Sequence, residues 1–486
     1  MHYRSLVKAD STLRVANFTI GPLFLLLALT ITMVKEKPLK VLFLSSDTGG
    51  GHRASAEALA KQFTLLFPGS TFDLLDVWKD DGVWPFRTIV QSYKHLSANP
   101  AQWRILYHVT NTLSVESLAD WHTSVHCQDR ILKRISKYDP DCVVSVHPTM
   151  NHTPLRSVQQ LSDTLGKHIP FFTVVTDLGA AHGSWFQKDV EKIYVASNAL
   201  KDIALERAQT PPDKIVMSGL PIRHEFALQA QQLGDRTSDS GKHYQSSIRK
   251  QLDINSDKKM VLLMGGGEGV GSLSTITNQV YVGLTRHGID ATICIICGRN
   301  GKLQKELERR DWDAVLMDAL ASSAGNHMKQ FVEKDPSQAP RRVGNVSIKP
   351  LGFVSRMAEY MVAADILLSK AGPGTIAEAA SLGLPVLLTS FLPGQEAGNV
   401  EFVEMHGFGK YESNPGEIGE AVAALFLDPL ELEKRSAKAQ QVGRPNAAAA
   451  IVQDIGSVAQ KWLSVNEAMY EYTKLNRKAK CPINGL

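Results

Sequence analysis

The chain has 486 residues, 43% hydrophobic and 21% charged, enough for two or three domains that each bury a core. A formal charge of +4 excludes the strongly basic balance of a nucleic-acid-binding protein but leaves room for contact with an anionic membrane surface. Five cysteines form no disulfide framework, and Cys294 and Cys297 sit in the apolar run ATICIICG with no second pair to complete a metal site.

Residues 18–34, FTIGPLFLLLALTITMV, form an uncharged run near the shortest length that spans a bilayer. Arg4, Lys8 and Arg14 precede it and Lys35 and Lys37 follow, so the flanking charge orients it only weakly. Residues 1–37 are expected to be a membrane anchor or signal segment. A buried helix is one rival; a cleaved signal peptide is the other, and it lacks a small-x-small cleavage site.

From Lys40 the pattern is strand, turn, helix, repeated. KVLFLSS, TFDLLDV, DCVVSVHP, PFFTVVTD, KIYVAS and KIVMSGLP predict a parallel sheet wound with helices over residues 38–226. The first turn, SSDTGGGHRAS, brings Gly50 and Gly51 to a helix start, where free N–H groups suit an anionic ligand. His52 falls at or near the first helical turn. The positive end of the dipole opposes its protonation and leaves a neutral imidazole able to accept a proton; the alternative is a histidine bonded to local backbone.

Residues 78–121 carry Trp78, Trp84, Trp103 and Trp121 with Phe86, Tyr93 and Tyr107, interleaved with Lys79, Arg87, Lys94 and Arg104. This mixture suits a surface dipping into anionic lipid, although a core helix pair also explains the tryptophans. His147 and His152 in SVHPTMNH, and Asp177 in VVTDL, follow later strands. Ligands of open α/β sheets lie beyond the carboxyl ends of the strands, so these loops are expected to converge on His52.

Residues 227–257 are polar and lack strand signals, which reads as a linker. The same grammar restarts over 258–446 with KMVLLMGGGEG, ATICIICG, VSIKPLGF, DILLSKAGPG and LPVLLTSF, interrupted by a Ser-, Asn- and Pro-rich surface insertion at 319–345. GGGEGVG at 265–271 is neither a P-loop nor a strict dinucleotide fingerprint. In AGPGTIAEA, Thr375 and Glu378 have the spacing of a capping box; Glu378 either caps its own helix or accepts two hydrogen bonds from a ribose diol. Gln395 and Glu396 stand side by side after an apolar strand, where an amide and a carboxylate together suit several sugar hydroxyls, or simply a solvated loop. Residues 447–486 are expected to be helical. The economical architecture is two Rossmann-like domains with parallel sheets facing a central cleft.

Together, SSDTGGGHRASAEAL, SVHPTMNHTPL, TVVTDL, SGLPIR, VLLMGGGEGVG, PLGFVSRMAEYM, SKAGPGTIAEA and LPGQEAGNVEF resemble the monogalactosyldiacylglycerol synthases, in order from about Lys40 to Tyr411. The resemblance implies a GT-B fold and inverting transfer of galactose from UDP-galactose to the sn-3 hydroxyl of diacylglycerol, with no metal or other cofactor. It also implies a role for each site residue. His52 would be the catalytic base. Glu378 would hold the uridine ribose, and Gln395 with Glu396 the galactose. Gly265, Gly266, Gly267, Glu268 and Gly269, on to Gly271, would surround the diphosphate with Ala371, Gly372, Gly374 and Thr375. Phe353 and Val354 would line the uracil, and Lys370 and Arg223 would help stabilise the charge of the leaving UDP.

Trp84 and Pro85, in GVWP, join Gly50, Gly51, His147, His152, Asp177 and Trp185 on the side of the acceptor and of anionic membrane lipid. The small residues of GAAHGSWF at 179–186 depart from the plant pattern, and the N-terminal apolar run stands where a plastid transit peptide would be. The expected location is therefore a plastid envelope membrane reached through an ER-type signal or anchor. UDP-glucose as donor, a UDP-sugar epimerase and a non-catalytic lipid-binding scaffold are the rival readings.

Overall fold

The computed structural model describes residues 37–48, 50–265, 273–331 and 343–479. The apolar run at 18–34 lies outside them, and among the described residues no helix is long and apolar enough to cross a membrane.

The strands of the first sheet are β1 (Lys40–Leu44), β2 (Thr71–Leu75), β3 (Cys142–Ser145), β4 (Phe171–Val174), β5 (Lys192–Val195) and β6 (Ile215–Met217). Those of the second are β7 (Lys259–Met264), β8 (Ala291–Ile296), β9 (Val346–Leu351), β10 (Ile366–Lys370), β11 (Val386–Ser390) and β12 (Gly409–Tyr411). Every pairing is parallel, in the orders β2-β1-β3-β4-β5-β6 and β12-β11-β10-β7-β8-β9.

Both sheets are covered by helices on two faces, which is why the inner strands read as unbroken apolar runs. Along β1, Leu42 and Leu44 join Ile131 and Ile135 of the Leu113–Ser136 helix. Val41 and Phe43 face the other way, onto Phe63 and Phe67 and onto Ile451, Val452 and Ile455. These last three belong to the Ala447–Ala479 helix, which returns from the second half to close the core of the first. Asp454 on that helix binds Lys192 Nζ at 2.8 and 2.9 Å and Tyr194 Oη at 2.8 Å.

The direction of winding reverses between β1 and β3 in one sheet and between β7 and β10 in the other. At such switch points the loops leave in opposite directions and open a crevice beyond the strand ends. The loops concerned are the glycine-rich turn after β1, the His147 segment after β3, the turn beginning at Gly265 and the Ala371–Gly372 turn. From Pro38 onward the chain forms one compact unit, so these crevices face a common cleft.

The stretch read as a linker is helical and packed. Helices His224–Leu233 and Asp239–Gln251 bury Phe226, Leu233 and Ile248 against the second sheet's core. Its charges have structural work. The Arg236 guanidinium donates to the carbonyls of Met361, Val362, Ala364 and Leu382, and burial brings its pKa down to about 10. The polar composition that suggested a tether therefore supplies caps for helix ends. Part of the expected surface insertion belongs to the Trp312–Phe331 helix, and residues 332–342 lie outside the described residues. Cys294 and Cys297 are buried, and burial pushes the Cys294 thiol up to about 12.

Ile451 is 1% exposed between the returning helix and the first sheet. Ile451→Ala is expected to lower unfolding stability by about 2–5 kcal/mol. Urea denaturation checks this through a lower midpoint at unchanged slope.

Candidate active site

His52 is the second residue of the Gly51–Leu66 helix, whose cap Gly50 takes φ 74°, a left-handed turn that glycine adopts without strain. Its ring is 7% exposed, and its Nδ1 lies 2.7 Å from Thr176 Oγ1. Burial lowers its pKa to about 4, opposed by the Val146 carbonyl. The neutral imidazole expected from the helix dipole is thus secured mainly by desolvation. His147 stands edge-on at 4.8 Å between ring centroids, and Trp185 lies at 5.9 Å. Burial, then His52, keep the His147 ring well below the ordinary histidine range.

Asp177 accepts a 2.7 Å hydrogen bond from Trp185 Nε1. Burial pushes its carboxyl up to about 7; the Trp185 bond works against this and the Glu396 charge adds to it. Asp177 follows β4 of the first sheet and Glu396 follows β11 of the second, so their electrostatic contact spans the cleft. Tyr107 packs from the first half against the Gly394 turn, where a Cβ on the glycine would fall 2.6 Å from its ring.

The backbones of the two halves also meet. A Cβ on Gly179 would lie 1.8 Å from the Gly398 carbonyl oxygen, and the Gly179 N–H donates to Asn399 Oδ1 at 3.0 Å. Asn399 Nδ2 in turn donates to the Ala371 carbonyl at 2.9 Å.

On the second half, the Pro373–Ser381 helix is capped by Gly372, so Thr375 and Glu378 do not form a capping box. Glu378 instead accepts two bonds from Arg223, from Nε at 2.8 Å and Nη2 at 3.0 Å. Burial raises the Glu378 carboxyl and the guanidinium pulls it back. Two bonds leave the carboxylate with acceptor capacity to spare. Lys370 Nζ pairs with Glu396 Oε1 at 2.6 Å, and Glu396 Oε2 accepts the Leu392 N–H at 2.8 Å. Gln395 Oε1 is buried without a partner, an orphaned acceptor beside Glu396. Phe353 is 79% exposed and Val354 half-buried on the loop after β9.

The structure therefore gathers His52, His147, Asp177 and Trp185 on the first half. On the second half it gathers Lys370, Ala371, Gly372, Glu378, Gln395 and Glu396. It does not bring in His152, which turns to Gln187 at 2.9 Å and Asp120 at 3.7 Å. Gly266, Gly267, Glu268, Gly269 and Gly271 lie outside the described residues; a Cβ on Gly265 would fall 2.8 Å from Leu273 Cδ1. Trp84 is 78% exposed, Pro85 beside it is also exposed, and Trp121 is 60% exposed. Trp78 and Tyr107 are buried, so the aromatic segment divides between core and surface. Thr176, Asn399, Gly179 and Gly398 received no role from the sequence, because a threonine, an amide and two glycines carry no functional signal until the halves meet. Among the described residues no group of three His, Cys, Asp or Glu side chains could hold a metal ion.

Two parallel sheets facing one cleft, acid–base groups on one side and paired carboxylates on the other, define a GT-B glycosyltransferase. The fold is shared with MurG of Acinetobacter baumannii (TM-score 0.51, 15% identity, 87% of this chain and 100% of that one). It is shared also with UGT71G1 of Medicago truncatula, solved with UDP-glucose (TM-score 0.50, 13% identity, 88% and 99%). Residues 260–451 match the glycosyltransferase family 28 C-terminal domain, and residues 52–222 match monogalactosyldiacylglycerol (MGDG) synthase. A soybean protein named probable monogalactosyldiacylglycerol synthase, chloroplastic, is 35% identical over 88% of this chain and 72% of its own length. Monogalactosyldiacylglycerol synthase 1, chloroplastic, of Arabidopsis thaliana is 34% identical over the same shares. The chain belongs to the monogalactosyldiacylglycerol synthase family.

A carboxyl raised by folding is ionised at a cost. Asp177 therefore favours the folded state below about pH 4 and loses that contribution as pH rises from the ordinary 3.8 to about 7. Asp177→Asn is expected to gain thermal stability relative to the parent between pH 5 and pH 8, read as a widening difference in Tm. A pH-independent difference would count against the buried carboxyl.

Proposed function

We propose that this chain is an inverting galactosyltransferase that moves galactose from UDP-galactose to the sn-3 hydroxyl of 1,2-diacylglycerol. Family membership carries the donor and acceptor. The observation that carries the mechanism is a neutral, buried His52 on the half of the cleft facing Gln395 and Glu396.

In the tautomer that carries its proton on Nδ1, beside Thr176 Oγ1, Nε2 holds the lone pair and takes the proton of the acceptor hydroxyl. That oxygen forms the new bond to the anomeric carbon as the bond from that carbon to the diphosphate oxygen breaks. Attack opposite the departing UDP inverts the centre in one displacement. Charge on the leaving diphosphate falls to the N–H groups at the start of the Pro373–Ser381 helix and to Lys370, which sits parked on Glu396. Glu378, aimed by Arg223, accepts from the ribose diol. The unpartnered Gln395 carbonyl and the Glu396 carboxylate take sugar hydroxyls. Residues 38–226 thus serve the acceptor and 258–446 the donor.

The acceptor is a lipid, and the first half offers an apolar surface to meet it. Ile105 and Val109 on one helix, and Leu118, Trp121 and Val125 on the next, repeat at helical spacing and are all exposed. Arg87, Lys94 and Arg104 are exposed in the same region, a charge that suits anionic lipid. The chloroplastic relatives support a plastid location.

His52→Ala is expected to cut galactose transfer by about 10²–10⁴-fold while UDP-galactose affinity stays within about threefold. The assay uses labelled UDP-galactose with diacylglycerol in anionic vesicles, repeated with UDP-glucose. A fully active variant would remove His52 as the base, and transfer from UDP-glucose alone would replace the product. Trp121→Ala with Leu118→Ala is expected to weaken sedimentation with anionic vesicles about tenfold, leaving UDP affinity unchanged.

A further inference from the structure

A chain of hydrogen bonds runs from the core to the glycine-rich turn. Trp78 Nε1 donates to Thr149 Oγ1 at 2.9 Å, Thr149 Oγ1 lies 3.0 Å from His147 Nδ1, and His147 Nε2 lies 2.8 Å from Thr48 Oγ1. Trp78, His147 and Thr48 are all buried. Protons along this chain have a direction. The Thr149 backbone N–H, which can only donate, points at His147 Nδ1 at 3.4 Å. The Thr149 hydroxyl accepts from the indole and has its own proton to give to the same nitrogen. Nδ1 must therefore be bare, and a neutral His147 carries its single proton on Nε2, where it donates to Thr48. The proton of the Thr48 hydroxyl is then unspent, and no acceptor among the described residues takes it.

Thr48 lies four residues before His52, and its hydrogen-bond partner His147 stands edge-on to the His52 ring. We infer that the Thr48 hydroxyl is a catalytic hydrogen-bond donor to the attacking alcohol oxygen, held in that polarity by Trp78, Thr149 and His147. An alcohol oxygen that donates its proton to His52 and accepts one bond from Thr48 keeps one lone pair, aimed by these two contacts at the anomeric carbon. The inference rests on the acceptor-side role proposed for His52.

The test has two arms. In ¹⁵N-histidine-labelled full-length protein, the His147 resonances, assigned by their loss in His147→Gln, are expected to show the Nε2–H tautomer; an Nδ1–H ring overturns the inference. In steady-state assays, Thr48→Val, which keeps the shape and removes the hydroxyl, is expected to lower kcat/KM for diacylglycerol about tenfold. UDP affinity should stay within about twofold, and Thr48→Ser should restore most of the loss. Undiminished transfer by Thr48→Val overturns the role, as does a loss of UDP affinity with acceptor kinetics unchanged, which would assign the hydroxyl to the diphosphate. If the parent protein makes no galactolipid, the proposed acceptor fails separately. Hydrolysis of UDP-galactose, with water as the attacking oxygen, then reads the same contact: a slower Thr48→Val supports it and equal rates overturn it.

Discussion

The close approach of Gly179 to Gly398 is the contact on which the site depends. The two backbones meet where a single Cβ would fall 1.8 Å from a carbonyl oxygen, and the amide of Asn399 ties the loop of one half to the Ala371 turn of the other. Only at that separation do Asp177 and Glu396 feel one another, and only then does Tyr107 reach the Gly394 turn. No side chain fits at either glycine without prising the halves apart. The chemistry of the cleft is therefore set by two residues that have no side chain with which to take part.

Burial treats the two sides of the cleft differently. On the first half, four buried groups are shifted toward their uncharged forms: His52 and His182 are each lowered to about 4 and His147 well below its ordinary value, and Asp177 is raised to about 7. On the second half, carboxylates stay as ion pairs, Glu378 with Arg223 and Glu396 with Lys370. A dry, nearly neutral wall suits an uncharged alcohol on a lipid, because it presents a proton acceptor without a fixed charge to desolvate. A wall of paired charges suits a nucleotide sugar, whose diphosphate and hydroxyls can exchange places with the resident partners.

The region between Trp78 and Trp121 links the site to the surface. Its inner residues belong to the fold: Trp78 anchors Thr149, and Tyr107 meets His182 edge-to-face. Its outer residues, Trp84 and Trp121 among them, meet solvent in apolar rows. The helices of this stretch thus turn one side to Thr149 and His182 and the other outward.

Much of this was legible in the sequence. Unbroken apolar strands alternating with helices specify parallel sheets, because a strand covered on both faces can carry no polar alternation. The glycine-rich turn placed His52 at a helix start, and Gln395 and Glu396 stood out as a polar pair after an apolar strand, open to either a sugar site or a solvated loop. What the sequence by itself determined was local: which segments form strands, where helices begin, and which chemical groups stand at strand ends. The tertiary structure alone decided how those groups are used. It turned the apparent linker into capping helices, gave Glu378 to Arg223 and not to its own helix end, and sent His152 away to Asp120. It also paired His52 with Thr176 across 124 residues. Partners so far apart in the chain leave no periodicity or spacing to read, because burial and proton direction arise only when distant segments share one cleft.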